Sequence, residues 1–430
     1  MLTPLVADPV GGDEARGTTT TEERSMSRPF TLGVALDGAG WHPAAWREPS
    51  ARPDELFTPD YWVDLVRTAE AGGIHYVTIE DSLALQSAQY NVPDERTDEV
   101  RGRLDALLIA SRVAPLTRTI GLIPTVTTTY TEPFHVSKAV ATLDHISDGR
   151  AGWQPKVSGR PDEAAHVGRR SVPSLEGGLH SPEVEAFIVD IFGDAGESVE
   201  VVRRLWDSWE DDAEIRDAAT DRFLDADKVH TIDYVGERLS VRGPSITPRS
   251  PQGQPVVAAL AHAAVPYRFA AGSADVVFVT PADLDHARRI LDEVADAAAQ
   301  VERVGEPLRV VADILVLLDG PDETAAARLE RLDAAGRPLT SDTRIVAGSA
   351  DEIADLVAQL AELGYDGVRL RPAVLTDDLA RIGTDLVPLL AARGVLVPAD
   401  DQAVALRARF GLEASVPSRY ATPSLTGADR

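Results

Sequence analysis

Short apolar runs alternate with longer amphipathic segments along most of this chain. Eight runs have the length and composition of buried strands, at 31–36, 74–79, 119–124, 150–157, 255–260, 275–279, 308–317 and 366–370. The segments between them repeat apolar residues at helical spacing. Strands that alternate with helices pair in parallel, and eight such repeats favour a closed barrel over an open doubly wound sheet. The pattern therefore predicts an α/β protein, a (β/α)8 TIM barrel.

Residues at the ends of the amphipathic segments support this interpretation. Thr58 and Pro59 are typical of a helix start, and Gly72-Gly73 ends the same segment. Ser349 and Glu352 have the spacing of a capping box, in which each side chain bonds the backbone of the other. Helices are thus predicted over 59–71 and 353–363.

The segment 119–153 carries the strongest local signal. Hydroxyl side chains gather where its predicted strand ends, at Thr125, Thr127, Thr128 and Thr129. Thr131 is the predicted N-cap of the following helix, which Asp148-Gly149 ends. Such a strand, turn and helix direct the turn's hydrogen-bonding groups to one rim of the barrel, where a ligand is expected.

The predicted domain boundaries follow changes in composition. Residues 1–28 form a predicted disordered leader rich in Gly, Thr, Pro and acids, the barrel spans 29–396, and 397–430 are a C-terminal extension. A long insertion over about 159–254 follows the fourth strand; it contains a helix near 199–209 and a turn, GERLSVRGP, typical of a small hairpin. Insertions at that end of a barrel strand commonly cover the active site.

Charge and cysteine content exclude several classes of function. The chain has 42 Lys+Arg against 69 Asp+Glu, a formal charge of −27, which opposes binding to nucleic acid or to anionic membrane. It has no cysteine, so disulfides, thiolate metal sites and cysteine nucleophiles are excluded, and a reducing cytoplasm is the expected location. No metal site is predicted, and no apolar run has the length of a membrane span.

Three sequence stretches together resemble a known family. TTYTEPFHVSKAVATLDHISDGRAGW, DKVHTIDYVGERLSVRGPSITPRSPQGQPVV and FAAGSADVVF are similar to the bacterial-luciferase-like flavin-dependent monooxygenases, in the branch of the nitrilotriacetate, pristinamycin IIA synthase and dibenzothiophene-sulfone monooxygenase large components. The resemblance covers residues 30–395. It implies a barrel that takes reduced FMN from a separate NAD(P)H:flavin reductase and oxidises a small-molecule substrate with oxygen. It also implies a dimer formed through the early helices 58–72 and 132–147.

Some cofactor-binding residues of that family are retained here. The resemblance assigns flavin contacts to Asp81 after the second strand and to Thr125 and Thr127 at the end of the third. The fourth strand of the family reads GWN followed by small residues, whereas this chain has GWQPKVS. Trp153, Gln154 and Ser158 are the implied contacts there.

Other positions depart from the family pattern. Ile188 and Phe192 stand where the family has a histidine and a tyrosine. The family's Gly-Ser-Ser turn for the FMN phosphate is replaced by Ala261, His262 and Ala263. Such a turn binds phosphate because a helix N-terminus offers unpaired N–H groups. His262 could replace part of the lost attraction, and Arg268 stands where the family has an arginine.

Histidines are the candidate catalytic residues. His135, in the EPFHVSK turn, is a possible general acid or base, or else a capping or loop-buried side chain. His42, in the loop after the first strand, either contacts substrate or lies in a mobile exposed loop. Lys156 either directs a cation into the barrel mouth or is a rim charge, and His145 is expected to be structural.

Three functions remain open at this point. The first is an FMN-dependent monooxygenase with a partner reductase, favoured by Asp81, Thr125 and Thr127. The second is a non-catalytic, flavin-poor subunit that pairs with a homologous barrel, and the third is a barrel that uses the deazaflavin F420 or no flavin. Ile188, Phe192 and the alanine-rich turn favour the second and third, so a homodimer and a heterodimer with a homologue are both considered.

Overall fold

The computed structural model of the protein describes residues 28–89, 92–174, 178, 181–400 and 402–421. The strands, in chain order, are β1 (Thr31–Leu36), β2 (Tyr76–Ile79), β3 (Gly121–Thr127), β4 (Gly152–Lys156), β5 (Glu214–Asp217), β6 (Arg222–Leu224), β7 (Tyr234–Val235), β8 (Ser240–Val241), β9 (Val256–Leu260), β10 (Val276–Val279), β11 (Arg309–Leu318), β12 (Ile345–Gly348) and β13 (Gly367–Pro372).

Eight of these strands form a closed parallel barrel in the order β1-β2-β3-β4-β9-β10-β11-β13, and β13 pairs with β1. Strand β12 adds to β11 outside this ring. Each of the eight predicted strands corresponds to one of the barrel strands, with boundaries that agree to within a few residues. The predicted (β/α)8 barrel with a long insertion after the fourth strand is confirmed.

Most of the helices cover the outside of the barrel. They are α1 (Pro59–Ala71), α2 (Ala106–Val113), α3 (Pro133–Ile146), α4 (Pro161–Val167), α5 (Pro182–Asp207), α6 (Ala264–Ser273), α7 (Leu284–Ala299), α8 (Ala325–Ala335), α9 (Ala350–Leu363), α10 (Leu375–Arg381), α11 (Val387–Ala392) and α12 (Leu406–Arg409). A π-helical turn, Ile382–Leu386, joins α10 to α11. No helix among the described residues combines the length and the apolar character needed to cross a membrane.

Two of the three predicted helix starts are confirmed. Thr58 is the N-cap of α1, and Ser349 with Glu352 forms the capping box of α9. The prediction of Thr131 as the N-cap of α3 is wrong, because the N-cap is Glu132. Pro133 takes the first helical position, where its missing N–H costs nothing, and the residue before a proline is held extended. The cap is therefore the residue directly before that proline.

The lower part of the barrel interior is aromatic and apolar. The rings of Tyr76 and Phe278 stack with centroids 6.2 Å apart, and Phe410 lies 5.0 Å from Tyr76. Gly33 pairs with Tyr76 across β1 and β2, and a Cβ at Gly33 would come within 2.2 Å of the tyrosine ring. The glycine thus provides the space that the large interior side chain needs.

The C-terminal residues close the amino-terminal end of the barrel. Leu406 and Phe410 are buried in the same interior cluster as Tyr76. A Cβ at Gly121 would meet a Leu406 methyl group at 2.4 Å, so this side chain fills the space beneath β3. Arg309, at the start of β11, donates to the carbonyl of Phe410 at 2.9 Å. Residues that follow the predicted boundary at 396 therefore contribute to the barrel core.

The segment after β4 contains both insertion and barrel wall. The long helix α5 packs against α3 and α6, the position of the wall helix after the fourth strand. Trp206 of α5 donates to the carbonyl of Ser137 at 2.9 Å, which covers the apolar face of α3. The predicted hairpin at GERLSVRGP is confirmed as the β7–β8 pair. Since α5 covers α3, the apolar residues of α3 do not require a partner chain.

Candidate functional site

A buried ionic network lies inside the barrel at the carboxyl ends of the strands. Arg369 of β13 is 1% exposed and donates to both carboxylate oxygens of Asp313 on β11, at 2.8 and 2.6 Å. The third guanidinium nitrogen of Arg369 donates to Gln154, Thr78 and Glu80 at 2.9, 3.1 and 3.3 Å. We call these residues together with Arg371 the arginine network.

The charges of the arginine network stabilise one another. Burial raises the pKa of Asp313, but the adjacent guanidinium groups of Arg369 and Arg371 outweigh burial and hold this pKa below its usual value. Arg371 donates to Asp313 through Nε at 2.9 Å and to the exposed Asp342 at 2.6 Å. Arg369 also lies over the ring of Phe278, with Cζ 3.9 Å from the centroid. The network thus separates the apolar lower interior from the mouth.

Two of the predicted cofactor residues are part of this layer. Thr125 and Gln154 are register partners on β3 and β4, and Gln154 Nε2 donates to Thr125 Oγ1 at 3.2 Å. The amide oxygen of Gln154 accepts from Arg369, so its orientation is defined from both sides. Gln154 and Thr125 are both buried. They form a polar surface at the bottom of the mouth, where strand ends converge as predicted.

Asp81, the predicted contact after β2, holds the backbone at the rim. Its carboxylate accepts from the amide of Ser82 at 2.7 Å and from the amide of Ala106 at 3.0 Å. Burial raises the pKa of Asp81, and these two amides oppose that effect. The main-chain carbonyl of Asp81 accepts from Lys156 Nζ at 2.8 Å. Asp81 therefore connects β2, β4 and the first turn of α2.

A further carboxylate lies at the end of β1. Asp37 is paired with Arg103 at 3.2 Å. Burial raises the pKa of Asp37, Arg103 lowers it, and the nearby Glu80 raises it further. An acid with a raised pKa at the mouth is a group that can hold or release a proton at that rim.

The other residues predicted on β3 and β4 have different surroundings. Thr127 and Ser158 are both 3% exposed, and the amide of Ser158 donates to Thr129 Oγ1 at 2.9 Å. Trp153 is fully buried and packs edge-on against Trp206 of α5, with centroids 6.4 Å apart. Its side chain is thus on the wall side of β4, opposite to Gln154.

The predicted phosphate turn leads into the N-terminus of α6. Ala261 is buried and its amide donates to Phe278 O at 2.9 Å, whereas His262 and Ala263 are exposed. Ala263 is the N-cap of α6, without a side-chain cap, and the first turn carries no acidic residue. Arg268 is exposed on the next turn. This arrangement leaves a helix N-terminus at the mouth that an anion can approach.

The two candidate catalytic histidines differ in burial and in the hydrogen bonds of their rings. His42 is 2% exposed; its Nε2 lies 3.0 Å from Asp333, and its Nδ1 accepts from the amide of Ala44 at 3.0 Å. The expectation of an exposed mobile loop at His42 is wrong, since both ring nitrogens connect this loop to its neighbours. His135 is exposed at the start of α3, with its ring edge-on to Phe134. His145, exposed near the end of α3, has Nε2 3.2 Å from the carbonyl of Pro248.

Ile188 and Phe192, which depart from the family pattern, both lie on α5. Phe192 packs edge-on against Phe269 of α6, with centroids 5.7 Å apart. Apolar packing between two wall helices thus occupies the position where the resemblance implies a hydrogen-bonding side chain.

The sequence interpretation misses the arginine network. Asp313 interrupts the apolar run ADILVLL, and Arg369 and Arg371 alternate with apolar residues in GVRLRP. Side chains two apart on a strand share a face, so charges at such spacing in a buried strand indicate a polar interior. That spacing is the signal by which the network could be found.

Comparison with known proteins agrees with this geometry. The sequence model described as luciferase-like monooxygenase matches residues 39–341. N-acetyl-S-(2-succino)cysteine monooxygenase of Bacillus subtilis (strain 168) is 29% identical, over 92% of this chain and 99% of its own. Nitrilotriacetate monooxygenase component A of Aminobacter aminovorans is 33% identical, over 71% of this chain and 65% of its own.

A solved structure supports the fold independently. EDTA monooxygenase from Chelativorans sp. BNC1 superposes with a TM-score of 0.73 at 21% identity, covering 90% of this chain and 99% of its own. At that identity the likeness concerns the barrel and its connections. Because the family match spans most of the barrel and the relatives are monooxygenases, the chain is an enzyme of the luciferase-like monooxygenase family.

Proposed function

We propose that this protein is an FMN-dependent monooxygenase that oxidises a small organic molecule with oxygen, using reduced FMN from a separate NAD(P)H:flavin reductase. One observation carries the proposal. A polar layer (Thr125, Gln154 and Arg369) and an uncapped helix N-terminus (α6) lie at the same end of the barrel. These two features together suit a planar, hydrogen-bonding ring with a phosphate tail.

The residues present fit the phosphate end of FMN. The N-terminus of α6 has no capping side chain and no acidic residue in its first turn, so a dianion meets no carboxylate there. His262 is exposed directly before it and can add a donor. Pro266, in the first turn, offers no N–H, which leaves fewer backbone donors than a turn without proline. We expect binding of the phosphate to be weak.

The residues present also fit the ring of a flavin. Gln154 is held between Thr125 and Arg369, so its amide cannot rotate freely. One N–H of the amide donates to Thr125, which leaves the other for a ligand. A preorganised donor of this kind stabilises negative charge that develops beside it. Reduced FMN, when bound, would supply the two electrons that convert one oxygen atom to water while the other enters the substrate. The chain's own part is to bind, orient and exclude water.

A proton donor is still required at the mouth. Burial raises the pKa of both Asp37 and Asp81 at the rim, but the Asp81 carboxylate already accepts from two backbone amides. The remaining groups are Asp37 and His135, which is exposed at the start of α3. We keep both as proposed proton-transfer groups. His42 is left out because both of its ring nitrogens already have partners.

A second function is supported by residues that differ from the family pattern. The alanine-rich turn at 261–263 and the apolar Phe192 remove hydrogen-bonding groups that the resemblance implies. A flavin-poor subunit that pairs with a homologous catalytic barrel would tolerate these losses. Use of F420 in place of FMN would also be consistent with a changed phosphate turn.

Anaerobic titration of the purified protein with reduced FMN separates these functions. The monooxygenase proposal expects saturable binding, followed by faster oxygen consumption when a flavin reductase and NADH are added. The same titration with reduced F420 serves as the matched comparison. Binding of neither flavin would overturn the proposal and favour the non-catalytic subunit.

The proposed partner is a flavin reductase, and the proposed location is the cytoplasm. Both relatives named above are monooxygenases, and one of them is called component A, which indicates a separate second component for that enzyme. We propose the same need for a reductase here. The absence of cysteine supports a reducing cytoplasm.

A further inference from the structure

Lysine is rare in this chain, and one lysine lies at the barrel mouth. Lys138, Lys156 and Lys228 are the three lysines among 42 basic residues. Lys228 contacts Asp212 on an exposed loop, and Lys138 lies on α3. Lys156 ends β4, two residues after Gln154, so its side chain is on the same face as that amide and extends above the arginine network.

Three other cations described at the mouth are paired with carboxylates. Arg369 and Arg371 contact Asp313, and Arg103 contacts Asp37 at 3.2 Å. Lys156 differs from them. Its Nζ donates to the main-chain carbonyl of Asp81 at 2.8 Å, and within the described parts of the chain no carboxylate lies within 4.0 Å of it. Two of its three donors are thus available to a ligand.

Partial burial without a contacting counterion favours binding of an anion at this ammonium group. Burial lowers the pKa of Lys156, while Glu163 and other acids raise it from beyond contact distance. The main chain at Lys156 is fixed, because its carbonyl accepts from the amide and the hydroxyl of Thr128 at 2.9 and 3.1 Å. The residue remains half-buried and therefore reachable. A partly desolvated cation without a contacting counterion gains more from an incoming anion than an exposed one does.

We propose that Lys156 binds a carboxylate of the substrate, so that the enzyme acts on small organic acids. This inference rests on the proposed function, because it assumes that the substrate enters the same mouth as the flavin. A carboxylate at Nζ would lie directly above Gln154 on the same face of β4, next to the polar layer. Lys156 is then a specificity-determining residue.

The carboxylate of Glu163 on α4 also interacts with the ammonium group of Lys156, so it competes with a substrate carboxylate. It is fully buried, its Oε1 accepts from the hydroxyl of Ser82, and its Oε2 has no hydrogen-bond partner among the described residues. An anionic substrate must therefore bind against the repulsion of this carboxylate. Removing the charge while keeping the shape, with Glu163→Gln, should strengthen carboxylate binding.

Lysine labelling of the whole protein, without flavin, tests the proposal. Reductive methylation followed by mass spectrometry measures the labelling rate of each of the three lysines separately. The probes are succinate, uncharged succinamide and inorganic phosphate at matched ionic strength. At a succinate concentration about ten times its dissociation constant, we expect labelling of Lys156 to slow about tenfold, because only the unoccupied site reacts. Succinamide should leave Lys156 unprotected. The labelling rates of Lys138 and of Lys228 should each stay the same with every probe.

Three variants test the role of Lys156 and of its neighbour Glu163. Lys156→Met should abolish preferential binding of succinate in direct titration, Lys156→Arg should retain it, and Glu163→Gln should increase protection of Lys156. Equal labelling of Lys156 with and without succinate, or protection by phosphate alone, would overturn the proposal; the second result would assign Lys156 to the phosphate of a cofactor. Protection without any binding of reduced FMN would overturn the proposed function and leave the carboxylate site standing.

Discussion

Arg369 and Asp313 are register partners on neighbouring strands, and both are buried at the centre of the barrel mouth. Their two hydrogen bonds, at 2.8 and 2.6 Å, join a guanidinium and a carboxylate in the bidentate geometry. Arg371 adds a second cation to the same carboxylate. Two buried arginines thus share one carboxylate, so this pair bears on both stability and chemistry.

Loss of the charge on Asp313 should destabilise the protein strongly. The isosteric Asp313→Asn leaves two buried cations without their shared counterion, which typically costs about 3–5 kcal/mol. The free energy of unfolding in urea measures the effect. Asp342→Asn is the matched control, because Asp342 also contacts Arg371 but its side chain is 52% exposed, and its loss should cost about 1 kcal/mol or less. Equal losses for the two variants would contradict this account.

A buried histidine should make stability depend on pH. His75 accepts from the amide of Leu32 at 2.9 Å through Nδ1, while Nε2 lies 2.8 Å from the carbonyl of Val397. Burial lowers the pKa of His75 to about 4 from 6.5. Between these values the unfolded chain binds a proton that the folded chain does not, so stability falls as pH falls from 6.5 towards 4.

The size of this effect is measurable with a substitution. A shift of this magnitude corresponds to about 3 kcal/mol in total. Urea unfolding of the wild type and His75→Gln at pH 7 and pH 4.5 should show that the stability advantage of the wild type shrinks at the lower pH. His145→Gln, at an exposed position on α3, is the control. An advantage that is the same at both pH values would disprove the assignment.

The turn before α6 should limit the binding of FMN. Replacing Ala261, His262 and Ala263 by Gly, Ser and Ser adds two hydroxyls, each worth roughly 1.5–3 kcal/mol at best when bonded to a charged phosphate. We expect reduced FMN to bind tenfold or more tightly, by anaerobic titration. Ala263→Ser alone is the control, because a serine N-cap also stabilises α6. Weaker binding by the triple variant would instead identify His262 as a phosphate ligand.

An exposed apolar groove between α1 and α2 should form a dimer interface. A cavity of about 240 Å³ opens there, and Phe57 and Leu108 beside it are 54% and 65% exposed. A stable interface buries well over ~1,000 Å², with apolar contacts at its centre. We predict a dimer by light scattering at micromolar concentration and a monomer for Leu108→Asp. Val304→Asp, at a 92% exposed position far along the chain, should remain dimeric. A monomeric wild type would refute the prediction.

The strands and most helix ends can be predicted because their signals are local. The apolar runs, the capping box at Ser349 and the glycines that end helices each act within a few residues. The predicted start of α3 is wrong by one residue because a proline overrides the preference of Thr131 for the cap. The barrel follows once eight strands are recognised.

The site is harder to predict because it depends on contacts between distant residues. Thr125 and Gln154 follow from the family resemblance, whereas the hydrogen bond between them is seen only in the structure. The pairing of Asp313 with Arg369 joins residues 56 positions apart. The spacing of Arg369 and Arg371 indicates a polar interior, but it does not show which carboxylate these arginines contact. The burial of His42 likewise depends on Asp333 on α8, which sequence spacing does not reveal.

The position of Leu406 and Phe410 beneath the barrel has a consequence for synthesis of the protein. A nascent chain leaves the ribosome from its N-terminus, so all eight barrel strands emerge before these two residues do. Until then Tyr76 and Phe278 line an interior that is open to water at one end. The nascent barrel therefore exposes apolar surface until the segment that completes it has emerged, and such surface is prone to aggregation.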